Sequence, residues 1–382
     1  MKLLIFTESF TYGGLETYIV NEIKQLKSRG YDIFFCVGKM YDERLIRDLD
    51  VCDILQVDLD GYTNTMELQR IVKKITTYVN DNEIDIIHIH PFVSIVPGYL
   101  VAASTGIAAI CTLHGPSSVG GVYGPFFDNA TQMALKEINP IIVVSNELKI
   151  MLANLSINSV LLPNAVDFSV KPKVNRVSDH KNWRWLIISR LDELKVVGIY
   201  DFVNKVHEFG YKTIDIIGDG PAKDDLINKL DIEGYENITF KGRIDNIKTH
   251  TRYDAIGGMG RVTLEAIAAH MPVCLIGYDG VKGMIDEYNL YIHAQNNFSG
   301  RDRKVLGHDE LLRNIAGYQT SISGVIREKI RPDYDTALSW WRFDIIARNA
   351  RPLKRNSTYK TLKKTVYFDG GDQPWYIRNK LI

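Results

Sequence analysis

Cysteine is scarce. The 382 residues hold four, Cys36, Cys52, Cys111 and Cys274, and none pairs in a CxxC arrangement. Each lies in or beside an apolar run, which argues against a disulfide framework or a zinc site and predicts buried free thiols in a reducing compartment. An excess of either charge is also missing. Lys+Arg and Asp+Glu number 46 each, for a formal net charge of zero. A dedicated nucleic-acid binder normally carries a visible basic excess, so none is expected. Long hydrophobic runs are absent too: no stretch approaches the ~20 apolar residues of a membrane span. The opening MKLLIFTESF is too short in its apolar run for a signal peptide. These absences predict a cytoplasmic protein.

At this length two domains are a better prior than one large core. The chain opens with a buried-strand run, Leu3 to Phe6, followed by a loop with Gly13-Gly14 and a helical pattern from Leu15 to Lys27. A second strand follows Gly30, from Asp32 to Val37. The same strand–helix grammar recurs to about residue 162, which predicts a parallel sheet covered on both faces. Residues 168–182 lose periodicity and turn polar, as a linker does. The grammar restarts at Trp185 to Ser189 and runs through Pro272 to Ile276. The predicted division is 1–167, a linker at 168–182, a second domain at 183–335, and a helical tail at 336–382 with aromatic anchors including Trp340, Trp341 and Phe343.

In doubly wound sheets ligands bind beyond the C-terminal strand ends, so the residues after each strand are the candidates. Gly13 and Gly14 let backbone approach a ligand at a helix N-terminus, although a tight turn explains them equally. There is no GxGxxG and no GxxxxGK[ST]. The His88-Ile89-His90 pair is taken to alternate faces of its strand, so that both rings do not reach one metal, and no metal site is expected. His114 ends a strand ahead of a loop rich in glycine, proline and serine, where a hydrogen-bonding group would line a site. Arg190 and Lys195 follow the first strand of the second domain and suit a diphosphate; alternatively they pair with Asp192 and Glu193 on a solvated loop. Gly257 to Gly260 form a loop in this reading, with Arg261 next and Val262 opening a helix, whose bare N–H groups suit phosphate or sugar oxygens. Glu265, placed in the first turn, suits a ribose diol or simply the helix dipole.

Taken in order, these features resemble the GT-B glycosyltransferases of family 4, the group-1 retaining type, over about residues 1–295. The resemblance rests on Gly13-Gly14 with Glu16, Asp85 to His90, Thr112 to Gly115, Ser145, Pro163 to Asp167, Arg190 with Lys195, Gly218 to Pro221, Lys241 to Arg243, and Leu264 to Ala266 with Pro272-Val273. It implies two Rossmann-like α/β domains facing a cleft, with a nucleotide-sugar donor held mainly by the second. Arg190 and Lys195 would bind the diphosphate, Glu265 the ribose hydroxyls, and the backbone near Arg243 the base. Gly218, Gly258, Met259, Gly260, Arg261 and Val262 would complete the donor site. Gly13 and Gly14 would approach the phosphates and His114 the transferred sugar, making His114, Arg190 and Lys195 the catalytic set. No metal and no cofactor are implied beyond a UDP- or GDP-linked sugar as co-substrate. One departure stands out: the family's paired-glutamate signature has a carboxylate eight positions before Glu265, where this chain has Gly257. Backbone N–H groups and Arg261 are the expected replacement, with Glu287 as another; preference for an unusual donor sugar and an impaired enzyme are the alternatives.

The expected function is transfer of a sugar to a glycan or lipid-linked glycan in bacterial surface-polysaccharide or lipid-linked oligosaccharide assembly. A nucleotide-sugar epimerase on the same fold and a non-catalytic nucleotide-sugar-binding protein are the alternatives. The zero charge conceals a split, since residues 1–165 carry a net −6 and the remainder +6, with +7 in residues 341–382 alone. That basic tail is expected either to dock on the acidic first domain or to meet an anionic membrane surface on the inner face of the plasma membrane.

Overall fold

The computed structural model describes residues 1–169, 180–207, 210, 213–235, 237–242, 252–366 and 373–376. They fall into two compact units, Met1–Pro163 with Ser339–Ile382, and Asn164–Leu338.

The first unit is built on seven strands: β1 (Lys2–Phe10), β2 (Asp32–Tyr41), β3 (Asp53–Gln56), β4 (Ile86–Ile89), β5 (Ala108–Leu113), β6 (Ile141–Val143) and β7 (Val160–Leu161). Their order is β3-β2-β1-β4-β5-β6-β7, and every pairing is parallel. Helices on both faces bury both sides of a parallel sheet, so its strands are continuous apolar runs. All six residues of β5 and all four of β4 are buried. The Thr65–Asp81 helix begins at a capping box, in which Asn64 Oδ1 accepts from Glu67 N–H at 2.9 Å and Glu67 Oε2 from Asn64 N–H at 3.0 Å. The Ile95–Thr105 helix is buried over Ile95–Ala103. It therefore shows no polar face and no helical period in the sequence.

The second unit repeats the plan with β8 (Arg184–Ile188), β9 (Thr213–Ile217), β10 (Ile238–Gly242), β11 (Ala255–Gly258), β12 (Val273–Ile276) and β13 (Val281–Met284), ordered β10-β9-β8-β11-β12-β13. All pairings are parallel except β12 with β13. Both sheets reverse direction of winding once, between β1 and β4 and between β8 and β11, and the crevice outside such a switch point is where open α/β sheets bind ligands. These are two Rossmann-like domains.

Residues 164–166 belong with the second unit. Val166 N–H donates to Tyr334 O at 2.9 Å, and Thr336 N–H to Val166 O at 3.0 Å. The Thr336–Arg348 helix carries the chain into the first unit, where Trp340 packs on Tyr18 with centroids 5.2 Å apart and Phe343 on His88 at 5.0 Å. Further along, Leu353 N–H donates to Ile107 O at 3.0 Å and Trp375 N–H to Thr63 O at 3.0 Å. Of the cysteines, Cys36, Cys111 and Cys274 are buried, with thiol pKa values pushed up by burial. Cys52, expected to be buried, is exposed at the start of the edge strand β3.

Phe343 is fully buried although it lies 182 residues beyond Leu161, the last residue of the sheet it covers. Phe343→Ala should lower the unfolding free energy of the first domain by about 3–5 kcal/mol, measured by urea denaturation. A loss below 1 kcal/mol would mean that the returning helix is dispensable.

Candidate functional site

In the first domain the polar residues gather at the β1/β4 switch point. The Gly14–Lys27 helix buries Tyr18, Ile19, Glu22, Ile23 and Leu26, and Glu22 is fully buried with them. A buried carboxylate needs charged or donating partners, and β4 supplies two. His88 Nδ1 hydrogen-bonds Glu22 Oε1, and His90 Nε2 lies 3.2 Å from Glu22 Oε2. Both histidines therefore face the same way. The alternating placement expected from sequence is wrong, because residues two apart on a strand share a face. His88 Nε2 also meets Thr112 Oγ1 at 2.7 Å, and His90 Nδ1 meets His114 Nε2 at 3.0 Å. Burial opposes charge on Glu22, but the two adjoining histidines outweigh it and hold the carboxyl near pKa 2. Burial, with the neighbouring His88, lowers His90 to about 4. Burial and both neighbouring histidines hold His114 well below the usual range. Glu22, His88 and His90 offer three potential ligand atoms within 4.8 Å of one another. Each also has a hydrogen-bond partner within the cluster.

His114 is half-buried, and its backbone is held by Ser118 Oγ, which accepts from His114 N–H and Gly115 N–H, both at 3.3 Å. Gly13 and Gly14 are exposed at the helix entrance, where Gly13 O accepts from Thr17 N–H at 3.2 Å and Glu16 Oε1 accepts from Thr11 N–H at 3.0 Å. Glu8, near the end of β1, accepts from the N–H groups of Phe92 and Val93 and so ties the β1 and β4 ends together.

In the second domain the candidates lie at the β8/β11 switch point. Ser189 N–H donates to Ile217 O at 3.1 Å and Leu191 N–H to Asp219 O at 3.0 Å, which joins the loops after β8 and β9. Gly218 makes this contact possible, since a Cβ there would lie 1.8 Å from Ser189 O. Asp192 organises both cations. Its Oδ2 is 3.1 Å from Arg190 Nε and 3.9 Å from Lys195 Nζ, and its Oδ1 accepts from Lys195 N–H at 3.0 Å. The pairing with Asp192 foreseen as the plainer alternative is thus present, and it sets the two cations side by side. Burial lowers the Lys195 pKa, Asp192 opposes that, and Arg190 reinforces it.

Beyond β11, Gly260 caps the Arg261–Ala268 helix with φ +58°, a conformation that glycine adopts without strain. Its N–H donates to Phe298 O at 2.8 Å, so the 296–300 loop packs on this helix entrance. Met259 and Val262 pack against the core beneath. The helix opens at Arg261 rather than Val262, which moves Glu265 out of the first turn. Its Oε1 accepts from Arg261 Nε at 2.8 Å, while Arg261 Nη1 donates to Ala165 O at 3.0 Å. Glu287 is engaged with Lys329 at 2.8 Å. Arg243 lies outside the described residues.

The sequence matches the Glycosyltransferase Family 4 model over residues 12–170. Anabaena Alr3699/HepE, solved with UDP and glucose, has the same fold at TM-score 0.70 and 16% identity, covering 91% of this chain and 100% of its own. The chain has the GT-B fold, and its residues 12–170 match a glycosyltransferase family 4 domain. Sucrose-phosphate synthase from Thermosynechococcus elongatus is similar at TM-score 0.68 and 15% identity, covering 91% and 98%. UDP-GlcNAc 2-epimerase from Methanocaldococcus jannaschii shares the fold at 0.59 and 13%, covering 91% and 100%. No match is found among curated protein sequences.

The chain departs from the expected glycine loop. Gly257 and Gly258 are not loop residues but the last two of β11, buried and paired with Cys274 and Leu275 of β12. A Cβ on Gly257 would meet Ile276 Cδ1 at 2.8 Å and Ile187 Cγ1 at 3.4 Å. Position 257 thus faces apolar core. Gly257→Glu should bury an unpaired carboxylate there and destabilise the second domain by about 3 kcal/mol or more, with no gain in nucleotide affinity. Thermal unfolding with and without UDP checks this; a stable variant with tighter nucleotide binding would contradict it.

Proposed function

We propose that this protein is a glycosyltransferase that moves a sugar, with retention at the anomeric carbon, from a nucleoside-diphosphate donor to a glycan hydroxyl. The observation that carries the reading is the pairing of Arg190 and Lys195 by Asp192 at the β8/β11 switch point, beside a glycine-capped helix bearing Glu265. Two adjacent cations suit a diphosphate. Glu265 has a second carboxylate oxygen beyond the one held by Arg261, and suits a ribose hydroxyl. Gly218, Gly258, Met259, Gly260, Arg261 and Val262 frame this site, and Arg243 is assigned to the base. Gly13 and Gly14 approach the phosphates and His114 the transferred sugar.

In the reaction the C1–O bond to the diphosphate breaks as a bond forms from the acceptor oxygen to C1 on the same face. The acceptor proton passes to the departing phosphate oxygen. Arg190 and Lys195 stabilise the negative charge that grows on that diphosphate, which is the electrostatic work of such a site. UDP is the first nucleotide to test, since HepE was solved with it; GDP is the second. The acceptor in this reading is a growing surface glycan or a lipid-linked oligosaccharide. The exposed Lys354, Arg355, Lys360, Lys363 and Lys364 around the Ser357–Val366 helix suit an anionic membrane surface. No helix among the described residues is long and apolar enough to cross a membrane.

Arg190→Ala, Lys195→Ala and Glu265→Ala should each weaken UDP binding by roughly tenfold or more, as loss of a charged hydrogen bond does, measured by calorimetry. Unchanged affinity in all three would refute the assignment. Incubation with donor alone separates the reactions: an interconverted nucleotide sugar signals an epimerase, and acceptor-dependent product signals transfer.

A further inference from the structure

The hydrogen bonds that converge on Glu22 have a directional consequence. An ionised carboxylate only accepts. His90 Nε2, 3.2 Å from Glu22 Oε2, must therefore carry a hydrogen. A neutral imidazole has one N–H, so His90 Nδ1 is an acceptor. His114 Nε2, 3.0 Å from it, must then be the donor, which leaves Nδ1 of a neutral His114 as a bare lone pair. His88 Nδ1 meets the other carboxylate oxygen, and its electrostatic pull is the largest influence holding Glu22 ionised against burial.

We infer that Glu22, acting through His90, fixes His114 as the Nε2–H tautomer and so presents its Nδ1 as a hydrogen-bond acceptor for a hydroxyl of the transferred sugar. This rests on the placement of that sugar at His114 proposed above. Among the described residues no group hydrogen-bonds His114 Nδ1. The ring is also held mechanically: it stacks on His90 with centroids 5.3 Å apart, and Tyr18 meets it edge-on at 4.9 Å. Tyr18 is in turn backed by Trp340 of the returning helix. His90 and Glu22 touch no ligand in this scheme. They are positioning residues, and the family resemblance gives neither a role of this kind.

Long-range 1H–15N spectra of the full chain labelled in histidine read the tautomer directly at neutral pH. The expected result is a pyridine-type Nδ1 and a protonated Nε2 on His114. A protonated Nδ1 would overturn the inference without touching the diphosphate site, whose UDP affinity is measured separately. Two variants test the coupling. His90→Gln keeps a donor for Glu22 and an acceptor for His114, whereas His90→Leu removes both. In His90→Leu the His114 tautomer should become mixed and kcat should fall about tenfold to hundredfold, as for a misplaced reacting group, with UDP affinity unchanged. His90→Gln should recover most of the rate. Equal defects in the two variants, with both folded by circular dichroism, would contradict the coupling. If His90→Leu fails to fold, the wild-type spectrum still decides the tautomer. Transfer at the wild-type rate by His114→Ala would overturn the sugar contact alone.

Discussion

A carboxylate with no access to water imposes the strictest condition on the first domain. Glu22 stays ionised because His88 and His90 reach it from β4, and removing one partner of such a buried pair typically costs about 3–5 kcal/mol. The condition ties the Gly14–Lys27 helix to β4 in one register. It thereby fixes the exposed turn at Gly13 and Gly14, places His90 next to His114, and calls for the aromatic cover that Trp340 and Phe343 bring from the end of the chain. The tail is thus part of the domain that carries the histidine cluster, and its lysines are displayed from a helix whose Tyr359, Leu362 and Val366 are buried.

The second domain solves a related problem on the other sheet. Arg190 and Lys195 sit together, and Asp192 makes that tolerable by contacting both. The loop that carries them is anchored by backbone hydrogen bonds to Ile217 and Asp219, with Gly218 allowing the approach. In the proposed donor site a diphosphate would meet both cations already in contact with Asp192. The absent glutamate at Gly257 follows from packing. With Ile187 and Ile276 over that position, a carboxylate there would sit among apolar groups, and the polar groups of this edge are Arg261 and Glu265.

Much of this was legible in the residues, and the exceptions have physical causes. Strands β1, β2 and β5 are apolar runs between turn residues, and the Thr65–Asp81 helix declares itself by its capping box. The Ile95–Thr105 helix is buried all round and has no period to detect. β11 ends in two glycines, which suggest a loop until β8 and β12 are seen to flank it. The motif order pointed to the GT-B fold and the family 4 domain. Glu22 escaped notice because its partners lie 66 and 68 residues away. One signal could have revealed it: it occupies the apolar face defined by Tyr18, Ile19, Ile23 and Leu26, where a carboxylate requires a partner.

In the proposed reading the second domain holds the donor nucleotide at the C-terminal end of β8. A crystal of the chain soaked with UDP should then show diphosphate oxygens within hydrogen-bonding distance of Arg190 and Lys195, with a ribose hydroxyl on Glu265. Nucleotide bound elsewhere, with Arg190 and Lys195 still paired only to Asp192, would contradict it.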